Sequence, residues 1–186
     1  MDKLPSSTTS LLATSCAKLW NEVNYQRRQV YSNYQPIDRN PQLYKKYMPL
    51  VGSATAQQVI QKNSEAWRSF LRLKRMERLG ELSPWIRQVS PPGYWKRDGK
   101  HELVILYSNQ SYRIEGHTLK LPKNLLVKFK GKPKWSGRQG RLEIHHDQLA
   151  KKWRVFQPVV VKPTLSPRGS KTRHIDVHKD LNAVLP

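Results

Sequence analysis

His145-His146-Asp147, His101-Glu102 and Asp176 are the places where this sequence sets side chains capable of metal ligation or proton transfer. Asp176 follows Ile175 at the end of a basic stretch. An acid in such a place can hold a divalent cation that activates water and stabilises a leaving oxygen. Mg²⁺ keeps most of its waters and takes two or more acids gathered by a fold, so Asp176 alone does not make that site. Asp180 comes next; four residues along a strand it shares a side with Asp176 but lies ~13 Å away. His145 and His146 are chain neighbours, and neighbours in a strand point to opposite faces, which reads as a turn edge and not as a metal pair. His101-Glu102 has no partner at ligand spacing and reads as a hairpin flank.

Cation chemistry is far more abundant. The chain holds 34 Lys and Arg against 13 Asp and Glu, a formal net charge of +21. A compact body with that imbalance repels itself unless polyanion lies against it, and each cation placed on a phosphate releases a counterion. Six Trp, eight Tyr and three Phe distinguish it from a histone-like tail; they can build a core and offer rings to bases. The partner indicated is nucleic acid, with no membrane: no apolar run approaches the ~20 residues that span a bilayer. One cysteine, Cys16, excludes an internal disulfide and any Cys-x-x-Cys zinc knuckle. A cytoplasmic location is the expectation, since no apolar leader follows Met1.

The elements that would position these charges change type along the chain. Residues 6–31 have helical periodicity: Leu12, Cys16, Leu19, Val23 and Val30 make one apolar stripe, with Ser6, Ser7 or Thr8 as cap. A short helix over residues 44–48 is expected to end at Pro49. Residues 54–79 form a third helix, capped by Ser53, with Ala56, Val59, Ile60, Trp67, Phe70 and Leu71 on one side. Arg68, Arg72 and Arg75 recur at helical spacing beside that stripe, either as a solvated face or as phosphate contacts. Gly80, Pro84, Pro91, Pro92 and Gly93 punctuate the next stretch, and strands are expected over 103–107, 111–114, 118–121, 125–129, 141–146 and 152–162. Between 116 and 142 no acid occurs, while Lys120, Lys123, Lys128, Lys130, Lys132, Lys134 and Arg138 are all basic. A small barrel with such a rim is an electrostatic groove for a backbone, and Trp135 within it could stack on a base or pack in the core. The fold class read from this is α+β.

Six blocks in order carry a resemblance: Lys18-Leu19-Trp20-Asn21; Ala56-Gln57-Gln58-Val59 running to Ala66-Trp67-Arg68-Ser69-Phe70; Ser90-Pro91-Pro92-Gly93-Tyr94-Trp95; Gly140-Arg141-Leu142-Glu143-Ile144-His145; Lys152-Trp153-Arg154-Val155; and Ile175-Asp176. Over roughly residues 11–186 the chain resembles the N-terminal half of the TnpB family, RNA-guided endonucleases of insertion sequences that are long grouped with transposases. The resemblance implies a helical recognition lobe at 6–79, an antiparallel β-barrel of OB-like wedge type at 85–162 and a linker at 163–173. It also implies, at 174–186, the truncated first strand of a RuvC or ribonuclease-H-like domain. Asp176 then stands in the place of the first catalytic, metal-holding acid. The family follows Ile-Asp with an apolar residue and Gly, where this chain has Val177 and His178. The remaining acids and the zinc cysteines of the family would lie beyond Pro186, so Mg²⁺ is implied for the complete site only, with no cofactor and no zinc in this fragment. The resulting expectation is a transposon-encoded protein that binds guide RNA or DNA and does not cut by itself. Two alternatives stand beside it: half of a split endonuclease completed by a separately encoded C-terminal nuclease half, and an unrelated RNA-binding barrel.

Overall fold

The computed structural model describes residues 6–32, 40–97, 99–122, 125–129 and 137–160. Two compact units divide the chain, Ser10–Leu103 and one that groups the residues before Ser10 with those from Val104 onward.

The first unit is helical. Helix α1 runs Ser6–Ser32 and α3 runs Ser53–Arg78, close to what the periodicity requires. Cys16, Leu19 and Val23 of α1 and Ala56, Val59, Trp67 and Phe70 of α3 are buried; Leu71 stays exposed instead of joining that side. Helix α2, Pro41–Val51, begins earlier than expected and passes through Pro49. Pro41 suits a first turn because its missing N–H had no partner to lose. Pro49 removes one backbone donor near the end, where Gly52 N–H still closes on the Met48 carbonyl at 2.9 Å. Ser53 is the first residue of α3 and not its cap; Gly52, at φ 85°, precedes it, and the Ser53 hydroxyl meets Tyr44 Oη at 2.7 Å.

Arg27 joins the helices through a buried polar network. Its guanidinium donates to Asn40 Oδ1 at 3.2 Å, to Asn63 Oδ1 at 2.8 Å and to Ser64 Oγ at 2.9 Å. Helix α3 stops in a Schellman motif. Glu81 N–H reaches the Met76 carbonyl at 2.9 Å, Gly80 N–H reaches that of Glu77 at 3.2 Å, and Gly80 supplies the left-handed φ of 71°. The chain then folds back, and Leu82, Ile86 and Val89 pack on Trp67 and Phe70. A two-stranded ribbon, β1 (Lys96–Arg97) with β2 (Lys100–His101), ends the unit.

The second unit is antiparallel sheet. Strand β3 (Val104–Tyr107) pairs with β8 (Leu142–Asp147), which pairs with β9 (Lys152–Phe156). Strands β4 (Arg113–Glu115), β5 (Thr118–Leu121) and β6 (Leu125–Lys128) form a meander. Strands β7 (Arg138–Gln139) and β10 (Val159–Val160) make a short pair. The fold is α+β as expected, but among the described residues no sheet closes into a barrel. The run expected to be one strand over 152–162 is interrupted at Gln157-Pro158, because Pro158 has no N–H to continue the ladder. Residues 163–173 and 174–186, expected as a linker and the start of a RuvC-like domain, lie outside the described residues.

Candidate nucleic-acid interface

Helix α3 presents two opposed characters because its apolar residues recur at helical spacing. Trp67 and Phe70 are driven inward by their area, and their rings meet edge to face at 5.5 Å. One residue further round, Arg68, Arg72 and Arg75 are exposed. Lys74 is taken by Glu77 at 2.6 Å, whereas among the described residues no carboxylate pairs with Arg68, Arg72 or Arg75. The three guanidinium groups therefore form an outward stripe about 10 Å long, anchored by the buried side of the same helix.

A second basic surface lies on the β4–β5–β6 meander. Ile114, Leu119 and Val127 stand opposite one another on the inner face. The alternation places Arg113, Glu115, Lys120 and Lys128 together on the outer face. Lys120 was expected to stand in an acid-free run, yet it pairs with Glu115 at 2.6 Å, the acid just before that run. The pairing is diagonal across the strands and not adjacent in sequence, so spacing did not disclose it. Arg113 was missed for the same reason: it lies before the acid-free run and joins the surface only through register with Lys120. Arg138 is exposed on β7. Lys123, Lys130, Lys132, Lys134, Trp135 and Asp176 lie outside the described residues.

The candidate acids and histidines have other occupations. Asp147 Oδ1 accepts the N–H groups of Leu149 and Ala150, each at 3.0 Å, and its Oδ2 accepts Arg154 Nε at 3.1 Å and Nη2 at 2.9 Å. The Ala150 N–H first, then Arg154 and the Leu149 N–H, hold its carboxyl below the usual range and outweigh desolvation. It braces the β8–β9 turn. His145 lies edge-on to Phe156 at 5.1 Å and 3.1 Å from Glu143 Oε2, while His146 lies against Trp153 at 4.9 Å. The two rings thus serve different faces of β8. Among the described residues no group of three His, Cys, Asp or Glu could hold a metal ion.

The block at 90–95 turns out to be a strap. Its residues include two prolines and lie outside any sheet, so their carbonyls need donors from elsewhere. Helix α1 supplies them. Trp20 Nε1 donates to the Gly93 carbonyl at 3.0 Å, Asn24 Nδ2 to those of Pro92 at 2.9 Å and Gly93 at 3.2 Å, and Arg28 Nη2 to Pro92 at 2.6 Å. Asn21 Oδ1 accepts Trp95 N–H at 2.7 Å. Trp20 stacks on Trp95 with centroids 4.5 Å apart and planes 4° from parallel. Asn24 also accepts Trp67 Nε1–H at 2.8 Å, tying the strap to α3. In the second unit, Gly140 is needed for close approach: a Cβ there would lie 2.8 Å from Pro158 Cγ, and its carbonyl accepts Tyr112 Oη–H at 2.9 Å.

No helix among the described residues is long and apolar enough to cross a membrane. No family model matches the chain. The chain is 36% identical over 172 residues, 88% of its length, to the TnpB-like protein ORF457 of Acidianus two-tailed virus, and it spans 37% of that protein's length. This similarity favours the TnpB-like reading over an RNA-binding barrel unrelated to that family. The identity extends over most of the chain, and within the helical unit the blocks at 18–21, 56–70 and 90–95 pack together through Trp20, Asn24 and Trp67; over its own length the chain is similar to a TnpB-like protein.

Proposed function

We propose that this chain is a transposon-associated protein that binds nucleic acid through its sugar-phosphate backbone and does not cut it unaided. The observation that carries the reading is the Arg68, Arg72 and Arg75 stripe: outward, without a carboxylate partner among the described residues, and fixed by a buried helix side in a chain of net charge +21. The outer face holding Arg113, Lys120 and Lys128 supports it independently. The polyanion proposed is a guide RNA together with target DNA. In this reading 6–79 serves as recognition lobe and 85–162 as wedge, while 174–186 opens a RuvC-like domain in which Asp176 helps to hold Mg²⁺ once further acids join it. Binding without cleavage is supported by the ties of acids in the second unit: Glu115 to Lys120 and Asp147 to Arg154.

The test is salt-dependent binding of the purified chain to a labelled duplex and to single-stranded RNA. Arg68→Ala/Arg72→Ala/Arg75→Ala should flatten the log–log salt slope by up to about 2.7 units on duplex if each group releases one counterion. An unchanged slope would return the stripe to plain solvation, and no binding by the unmodified chain at low salt would refute the reading. Guide-dependent cutting by the chain alone with Mg²⁺ would refute its second half.

A further inference from the structure

Trp85 stands apart from the other described tryptophans. Trp20, Trp67, Trp95 and Trp153 are each 9% exposed or less, whereas Trp85 is 91% exposed. An indole in water forgoes one of the largest burial gains available to a side chain. Its placement is also fixed. Ile86 N–H closes on the Ser83 carbonyl at 2.9 Å, making a turn with Pro84 second and Trp85 third. The residues on either side, Leu82 and Ile86, are held in the cluster of Trp67, Phe70 and Val89. The turn thus lies alongside the half of α3 that carries the arginine stripe, and it shows its ring to solvent from an anchored base. Arg78 and Arg87 are exposed in the flanking chain, against the single acid Glu81 between them.

We infer that Trp85 is a stacking platform for an unpaired base of a single-stranded nucleic acid whose phosphates lie on the neighbouring arginines. The inference rests on the nucleic-acid reading above and deepens it. Charge selects the occupant: a cationic surround favours a polyanion, and a flat ring at the tip of a turn fits a base that is free of its pair. A duplex keeps its bases stacked on one another and offers this ring nothing at its sides.

The experiment compares the full chain with Trp85→Ala and Trp85→Phe on four labelled probes: a uridine 12-mer, a thymidine 12-mer, an abasic 12-mer and a duplex of equal length. Trp85→Ala should weaken binding to the uridine or thymidine strand by about 5- to 150-fold, the range of one lost base–aromatic stack. Duplex and abasic affinities should be unchanged, and Trp85→Phe should recover most of the loss. Far-UV circular dichroism should be unaltered in both variants, because the side chain supports no core. Equal affinity of Trp85→Ala and the unmodified chain for the base-bearing strands overturns the inference while leaving the broader reading intact. Failure of the unmodified chain to bind any probe at low salt overturns both. A change in self-association with no change on any probe assigns the ring to a protein contact and overturns the inference.

Discussion

Replacing Asn24 tests whether the strap is held by α1. Asn24 is fully buried, and its amide makes three bonds: to the Pro92 and Gly93 carbonyls as donor, and from Trp67 Nε1 as acceptor. In Asn24→Ala the two carbonyls are not orphaned. Pro92 keeps Arg28 Nη2 at 2.6 Å, and Gly93 keeps Trp20 Nε1 at 3.0 Å. The Trp67 N–H does lose its partner inside the core. An orphaned buried donor costs about 1–3 kcal/mol, and each lost bond to a carbonyl that keeps another donor about 0.5–1.5 kcal/mol. The sum centres on about 4 kcal/mol, which in a domain of this size lowers the melting midpoint by roughly 16–32 °C. Urea unfolding followed by tryptophan fluorescence measures it. Asn24→Asp should be worse than Asn24→Ala, since it keeps the acceptor for Trp67 but turns a charged oxygen on two carbonyls. A loss below about 1 kcal/mol for Asn24→Ala, or an Asn24→Asp protein as stable as the parent, would refute the account of the strap. A cycle with Trp67→Phe should then show coupling of at least about 0.5 kcal/mol.

Glu115→Gln releases Lys120, so duplex binding should strengthen at low salt and the salt slope steepen by up to about one unit; an unaltered slope measured by fluorescence anisotropy would remove Lys120 from the interface. Glu22 is expected to shape the acid limb of stability. Burial opposes its ionisation, but the hydrogen bonds from Lys46 at 2.8 Å and Tyr47 at 2.6 Å and the charges of Lys46 and Lys18 outweigh that, so its carboxyl lies below the ordinary value. A lowered carboxyl adds stability that is present above the unfolded value and lost as pH falls through the folded one. The gap in urea midpoint between the parent and Glu22→Gln should therefore be widest near neutrality and shrink on acidification below about pH 4; a gap that does not vary with pH contradicts this. Gly80→Ala should cost about 1 kcal/mol because its φ of 71° is left-handed, and thermal melting that shows no loss would mean the Schellman turn is not needed to reverse the chain.

What could be read in the chain was what has a local cause. The stripes of α1 and α3 follow from burying apolar residues at helical spacing, and the alternation Trp153, Val155 against Arg154, Phe156 matches the observed burial of β9. Pro49 was misjudged because a proline near a helix end removes a bond that the last turn can spare. The barrel was expected wrongly, as far as the described residues go, because strand spacing does not tell which strands pair, and β3 meets β8 across the intervening meander without closing a sheet. The strap was illegible for a different reason: its acceptors are backbone carbonyls, which leave no mark in side-chain spacing. Likewise nothing in composition separates Trp85 from Trp67; only the turn at Ser83 and the anchoring of Leu82 and Ile86 do so. The candidate interface was half visible, since Arg68, Arg72 and Arg75 share an α3 face by period, whereas Arg113 joins Lys120 by register.

Cys16 has a practical consequence. It is the sole sulfhydryl of the sequence, it has no solvent exposure, and burial pushes its thiol up to about 12. Alkylating reagents act on the thiolate, so the native chain should be all but inert to them at neutral pH. Labelling then proceeds only when α1 lifts away from its neighbours, and its rate is an intrinsic clock for the opening of the helical unit. That clock runs at one known position, without any engineered probe, and a ligand that clamps the helices would slow it.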